Sequence, residues 1–244
     1  MKPENFNNLN RQPKAIALLS AGLDSTVSLA SCIQTMDVVL AVTVNYGQRA
    51  AKQELASAAA IADFYQIPHR VVDLQWLAPL LPTALKQAKS PTDKAPSCDL
   101  DLFDVNRVWV PNRNGVLLNV AAAFAESCQA RYVIFGANRE EGEAFPDNTP
   151  AFCEAVSDSL SYSTQNQVEI VAPLQHLSKQ EILEHAATLC NVPFQSVWSC
   201  YESTIDTSGN SIHCGACASC IRVKNALSNY NRSNTPAVSI AFAS

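Results

Sequence analysis

Two stretches of the chain combine residue types and spacings that can do chemistry. In the first, Leu19-Ser20-Ala21-Gly22-Leu23-Asp24-Ser25-Thr26 stands between an apolar run over 14–19 and a helical pattern over 24–34. Such a turn can hold a phosphate through its backbone N–H groups, the hydroxyls of Ser20, Ser25 and Thr26, and the positive end of the helix dipole. A plainer alternative has Asp24 or Ser25 capping the helix and Gly22 making the turn, with no ligand. Neither G-x-x-x-x-G-K-[ST] nor G-x-G-x-x-G occurs in the chain. In the second stretch, Cys200, Cys214, Cys217 and Cys220 form a C-x13-C-x2-C-x2-C arrangement. Two overlapping C-x2-C steps gather three thiolates around one point, and Cys200 can return as the fourth, the closed tetrahedral shell of structural Zn²⁺. Three close cysteines also fit iron–sulfur ligation. His213 is expected as an exposed neighbour rather than a ligand, and Gly215 as the residue that gives the turn room.

The elements that position these groups follow from hydrophobic pattern. Strands are expected at 14–19, 38–44, 69–74, 132–135 and 168–171, and helices at 24–34, 50–66, 114–129, 151–162 and 179–189. The β-branched run Val38–Val44 suits a strand buried on both faces of a parallel sheet. A proline-interrupted helical segment is expected over 76–89, a loop able to act as a lid over 90–104, and a polar loop over 136–150. Strands alternating with helices point to an α/β fold, a doubly wound parallel five-stranded sheet whose ligands gather at the carboxyl ends of the strands. The expected organisation is a flexible arm over 1–13, a nucleotide-binding α/β domain over 14–190 and a small zinc-binding lobe over 191–244.

Composition narrows the class. Of 244 residues, 48% are apolar and 16% charged, so a large core is expected and intrinsic disorder is excluded as the main state. With 17 basic against 22 acidic residues, the net charge of −5 argues against affinity built on neutralising many phosphates, and no nucleic-acid partner is expected. No window approaches the roughly 18 continuous apolar residues of a membrane span, and the asparagine-rich start lacks a signal-peptide core. A cytoplasmic location is expected. A reducing compartment disfavours disulfides, so Cys32, Cys98, Cys128, Cys153 and Cys190 read as small core hydrophobes. Glycine is scarce, 7 in the chain, which makes each one a pointer to a special backbone site.

The segment Ser20–Ser25 resembles the S-G-G-x-D-S loop of the PP-loop ATP pyrophosphatase superfamily, with Ala21 in place of a glycine. An alanine fits there at negative φ and costs stability at positive φ. Tyr46-Gly47-Gln48-Arg49, Val110-Pro111-Asn112-Arg113-Asn114, Pro173-Leu174 with Lys179-Gln180-Glu181-Ile182, and Cys200-Tyr201 with Cys214-Gly215-x-Cys217-x2-Cys220-x-Arg222 resemble, in the same order, motifs of the 7-cyano-7-deazaguanine synthase family. The likeness runs from about Lys14 to Leu227. It departs at the loop Gly136–Phe152, which keeps Asn138, Pro146 and Asp147, has Glu141 for an aspartate, and has Asn148-Thr149 where the family carries C-R. The cation that could face a substrate carboxylate is missing there, and Arg139 is a candidate replacement.

The resemblance implies an ATP-dependent ligase with an adenine nucleotide α-hydrolase-like fold. It would join 7-carboxy-7-deazaguanine and ammonia into the nitrile through an adenylated carboxylate and an amide, in queuosine or archaeosine precursor synthesis. It implies ATP held by the 19–26 loop, Mg²⁺ at Asp24, one structural Zn²⁺, and a homodimer. Ser20, Asp24, Ser25, Arg113 and Lys179 would act in catalysis. Tyr46, Gln48, Arg49, Asn114, Asn138, Glu141, Phe145 and Asp147 would bind the acceptor. Bland alternatives stand beside these roles: Lys179 as a solvated first-turn residue, Arg113 in a structural ion pair, Tyr46 and Phe145 in ordinary packing, and Glu140, Glu141 and Glu143 as a solvated acidic loop. The competing functions are a PP-loop adenylating enzyme with another acceptor, as in tRNA thiolation or a deazaguanine-modifying paralogue, and a non-catalytic zinc interaction module.

Overall fold

A computed structural model describes residues 12–82, 85, 108–189, 191–202, 204–205, 210–233, 238 and 240–243. The expected lid over 90–104, most of the arm over 1–13, Cys98 and Cys190 lie outside these residues. Five strands, β1 (Lys14–Leu18), β2 (Asp37–Asn45), β3 (His69–Asp73), β4 (Tyr132–Ile134) and β5 (Glu169–Val171), form one all-parallel sheet in the order β3-β2-β1-β4-β5. The helices are α1 (Leu23–Cys32), α2 (Ala51–Phe64), α3 (Arg113–Ser127), α4 (Arg139–Ala144), α5 (Pro150–Ser163), α6 (Lys179–Thr188) and α7 (Ala218–Ser233). A short antiparallel pair, β6 (Thr204–Ile205) and β7 (Ser211–Ile212), precedes α7.

The period-two alternation of β1 divides the core. Ala15 and Ala17 face one side, packed with Leu29 of α1 and with Ala58, Ile61 and Ala62 of α2. Ile16 faces the other, with Leu118, Ala121 and Ala125 of α3 and Leu160 of α5. Small residues on β1 and α3 let helix and sheet approach closely. Fully buried side chains such as Ile16 and Leu118 each contribute about 1.5–3 kcal/mol by leaving water. A third cluster joins Leu23 and Val27 of α1 to Ile182 and Leu183 of α6 and to Val223, Leu227 and Tyr230 of α7. It seats the cysteine-bearing C-terminal part against the start of α1.

Strand order reverses between β1 and β4, so a crevice opens outside their carboxyl ends. The Ser20–Thr26 segment follows β1, and Gly136–Asn138 follows β4. These two approach so closely that a Cβ on Gly136 would lie 2.6 Å from the Ser25 nitrogen, so only glycine fits. Gly47, at φ +83° after β2, is likewise required: a Cβ there would meet Ala78 at 2.6 Å.

The polar loop expected over 136–150 instead contains α4 and a 3₁₀ turn at Pro146–Asn148. The Asn138 side chain accepts a hydrogen bond from the Glu141 N–H at 2.9 Å and so starts α4. Thr149 caps α5 by accepting from Phe152 N–H, with Pro150 in the first turn. Of the expected helical segment over 76–89, the described part is a 3₁₀ helix at Gln75–Leu80.

Candidate functional site

The turn after β1 is built as a cradle rather than a capped helix start. Gly22 is the N-cap of α1 at φ −64°, and no side chain caps it. Ser25 and Thr26 donate their hydroxyls back to the Gly22 carbonyl, at 3.1 and 2.8 Å, and the Ser20 and Ser25 hydroxyls lie 3.0 Å apart. The reading of Asp24 or Ser25 as a helix cap therefore fails. The first N–H groups of α1 lie outside the helical ladder and, with the helix dipole, suit an anion. The residue at positive φ is Ala21, at +64°, and not the neighbouring glycine. That conformation costs an alanine about 1 kcal/mol. The Trp198 N–H donates to the Ala21 carbonyl at 2.8 Å, and the Ala21 methyl is fully buried, which together hold the strained turn.

Asp24 points back from the first turn of α1 into a buried polar cluster. Its Oδ2 accepts from Asn138 Nδ2 at 3.1 Å and pairs with Lys179 Nζ, which also lies 3.4 Å from Glu141 Oε1. Burial works against charge on Lys179, but Asp24 and Glu141 outweigh it and hold its ammonium well above the ordinary lysine range. Burial likewise opposes charge on Glu141, and Lys179 and Arg222 overcome it and lower the carboxyl. For Asp24, burial prevails and pushes the carboxyl up against the pull of Lys179. Its Oδ1 is buried with no hydrogen-bond partner, the state of an oxygen suited to a divalent cation.

Two connected clefts meet at this cluster. The larger, about 220 Å³, runs from the Ser20–Ser25 turn past Lys179 to Arg222. The smaller, about 90 Å³, is lined by Trp109, Phe145 and Asp147. Tyr46, Arg113, Glu141, Asn148, Tyr201 and Arg222 line both. Burial works against the Arg113 and Arg222 charges; Tyr46 and Asp147 sustain the first, and Tyr201 and Glu141 the second, so both stay raised. Tyr46 itself is pushed up to about 12 by burial.

The four cysteines converge. Cys200, before β6, and Cys214, Cys217 and Cys220, around the start of α7, place their sulfurs within 4.8 Å of one another. This set could hold a metal ion. His213 is buried rather than exposed: Ser199 N–H donates to its Nε2 at 3.1 Å, and its ring stacks on Trp198.

The family model described as "Queuosine biosynthesis protein QueC" matches residues 14–231. The chain belongs to the QueC family. It is 42% identical over 214 residues to a "7-cyano-7-deazaguanine synthase" of Desulforamulus reducens, covering 86% of this chain and 91% of that one. A protein of the same name from Carboxydothermus hydrogenoformans is 44% identical over 216 residues, covering 87% and 97%. One from the archaeon Methanosarcina barkeri is 40% identical over 224 residues, covering 88% and 94%. The protein is an ATP-dependent ligase of this family. Among the described residues, no helix is long and apolar enough to cross a membrane.

Within this QueC chain, the structure brings together most of the residues singled out by motif. Ser20, Gly22, Leu23, Asp24, Ser25, Arg113 and Lys179 line the larger cleft, together with Leu19, Tyr46, Gln48, Asn114 and Glu141. Lys179 is 8% exposed, so it is no solvated surface lysine. Glu141 likewise leaves the solvated acidic loop, whereas Glu143 is exposed. Phe145 and Asp147 lie in the smaller cleft. Gln48 is used locally: its Oε1 accepts from Tyr46 N–H, and its Nε2 donates to Glu54 at 2.7 Å. Asn114 ties α3 to the turn before α5 by donating to the Asp147 carbonyl at 3.3 Å. Ala21, Thr26 and Asn138 stand behind the cleft, fully buried. Arg49 lines neither cleft and pairs with Glu202. Arg139 does not replace the missing substrate-facing cation: it pairs with Glu181 at 2.9 Å and reaches the His176 carbonyl on the exposed side of α4. Cys32 and Cys153 are buried as expected, and Cys128 is half-buried. Trp109, Tyr201 and Arg222 are among the lining residues that motif reading left without a role; their signal was their position one or two residues from Val110, Cys200 and Cys220.

Proposed function

We propose that this ligase converts 7-carboxy-7-deazaguanine and ammonia to 7-cyano-7-deazaguanine with ATP. The carrying observation is the continuity of the cleft across the sheet's switch point, from a phosphate-type turn, past buried Lys179 and half-buried Arg113 and Arg222, to an aromatic-lined chamber. In the first half-reaction the acid's carboxylate oxygen attacks the α-phosphorus of ATP, and the bond to pyrophosphate breaks. Ammonia adds at the activated carbon and loses a proton, and AMP leaves with the C–O bond. In the second half-reaction the amide oxygen is adenylated by another ATP. Loss of AMP and two protons leaves the nitrile.

The chain's own groups fit these demands. The N–H groups at the start of α1 and the Ser20 and Ser25 hydroxyls face the negative charge that develops on departing pyrophosphate. Lys179, kept protonated by Asp24 and Glu141, adds a fixed positive charge beside them. The partnerless Asp24 Oδ1 is suited to Mg²⁺, which would supply charge shielding to the phosphates when bound. At the cysteines we favour one structural Zn²⁺. Tetrahedral Zn–S bonds of about 2.3 Å set sulfurs about 3.8 Å apart, and Cys200–Cys217 and Cys214–Cys220 stand at 4.0 and 3.9 Å. A four-iron cluster attaches each cysteine to a different iron and needs wider spacing. The reading also includes a homodimer, a cytoplasmic location, no nucleic-acid partner, and a division into a sheet unit over 14–190 and a metal lobe over 191–244.

The test is incubation with ATP, Mg²⁺, ammonium and 7-carboxy-7-deazaguanine, followed by mass spectrometry. Amide and then nitrile are expected, with AMP. AMP without either product would replace the acceptor, and absence of any nucleotide turnover would overturn the reading.

A further inference from the structure

The smaller cleft has a polarity that assigns an orientation to the acceptor. It is bounded by two rings, Trp109 and Phe145, whose planes are within 3° of parallel and whose centroids are 6.4 Å apart. That distance is in the range of an offset stack, so the pair gives the chamber a flat aromatic wall against which a flat heterocycle can lie. Asp147 lines the smaller cleft and not the one that holds the phosphate-type turn, and its Oδ1 accepts from Asn148 Nδ2 at 3.1 Å. At the junction of the two clefts sits Arg222, carried on α7 two residues after Cys220. Its guanidinium donates to Tyr201 Oη at 3.4 Å, and its Nε is buried with no hydrogen-bond partner. An arginine nitrogen withdrawn from water and left unpaired is a group prepared for an anion.

Resting on the proposed function, we propose that the acceptor lies in the smaller cleft against the Trp109 and Phe145 rings, with its carboxylate on Arg222 and its amino-pyrimidinone edge on Asp147. This orientation puts the carboxylate oxygen at the mouth of the chamber that holds the phosphate-type turn, where it must attack. It leaves the ring N–H and amino group, both donors, against an acid that accepts from both. Thr149 is occupied as the cap of α5, and the cation comes from the cysteine lobe. The metal-binding lobe thereby becomes part of acceptor recognition, because the turn of chain that bears Cys220 also bears Arg222.

The orientation is tested by calorimetric titration of the full-length protein with three probes: 7-carboxy-7-deazaguanine, 7-deazaguanine, which lacks the carboxylate, and 7-carboxy-7-deazahypoxanthine, which lacks the amino group. A charge-assisted contact is worth about tenfold to a hundredfold in affinity, so the wild type should prefer the first probe over each of the others by that much. Arg222→Gln should erase the carboxylate preference and keep the amino preference. Asp147→Asn should do the reverse. Trp109→Ala should weaken all three probes alike. Where Arg222→Gln fails to fold, Arg222→Lys takes its place, and it should shrink the carboxylate preference while sparing the amino preference. A wild type that makes nitrile, with variants that keep both preferences, overturns the orientation alone. A wild type that binds none of the probes overturns the orientation and the proposed substrate together.

Discussion

Replacing Lys179 by Met probes the buried cluster most directly. Lys179 and Asp24 are 8% and 9% exposed, and Glu141 lies on the other side of the ammonium at 3.4 Å. Methionine keeps the volume and removes the charge, which leaves two carboxylates facing each other without their shared cation. Breaking a buried ion pair by deleting one partner costs about 3–5 kcal/mol. For a chain of this length each kcal/mol lowers Tm by about 2–4 °C, so a fall of about 6–20 °C is expected near neutral pH. The sign of the pH dependence is equally specific. In the wild type Glu141 is held low, so its contribution is present above the unfolded carboxylate pKa and is lost as pH falls through the folded value. In the variant, burial and mutual repulsion raise the carboxyls, so the folded state binds more protons than the unfolded one. Stability then increases as pH falls. The Tm gap between wild type and variant should therefore be widest at pH 7–8 and narrow towards pH 5. Differential scanning calorimetry across that range, with AMP release measured in parallel, reads both effects, and turnover should fall by about 10²–10³ through loss of the fixed charge. Adding Asp24→Asn to the variant should restore stability but not activity. A Tm loss under about 3 °C, or one equal at pH 5 and pH 8, would refute the buried-cluster argument.

Three further outcomes follow from the same geometry. Asp24→Asn alone should abolish nucleotide turnover while circular dichroism keeps the native spectrum and Tm falls by less than in Lys179→Met, because Lys179 retains Glu141 as a partner; an active variant would remove Asp24 from the machinery. Gly136→Ala should lower turnover at least tenfold, since its Cβ would stand 2.6 Å from the Ser25 nitrogen and push the phosphate-type turn; wild-type kinetics would show that the turn tolerates displacement. Cys217→Ser should lose the bound metal, one ion per chain in the parent by elemental analysis, together with the folding of the α7 region; a stable metal-free fold would show that the cysteines are not a structural site.

Local pattern was enough for the elements that repeat a period. The apolar runs at 14–19 and in Val38–Val44 specify buried parallel strands, and Ser178 with Glu181 announces α6 as a capping box. The Asn138…Glu141 spacing carried a similar signal for α4, but the charged, glycine-containing run Arg139-Glu140-Glu141-Gly142 masks it. Chemistry set by a short continuous segment was also legible. The Ser20–Thr26 turn and the C-x2-C-x2-C run bring their own ligands together over a few bonds, so spacing alone limits what they can do.

What only the tertiary structure decided concerns groups whose neighbours are distant in sequence. Lys179 has the pattern of a solvated first-turn lysine; the packing of α6 on α1 through Ile182, Leu183, Leu23 and Val27 turns it onto Asp24. Ala21, rather than Gly22, takes the left-handed conformation because a carbonyl contact from Trp198 and burial of its methyl come from elsewhere in the chain. Arg139 and Arg222 are alike in type, and one is spent on a surface pair while the other has its Nε buried at the cleft. The sequence by itself determined the kind of fold, the family and the two motif-borne sites, because hydrophobic periodicity and short-range spacing act through local covalent geometry. The packed chain decided which charges are desolvated and which face one another, because burial and electrostatic pairing depend on distances through space rather than along the backbone.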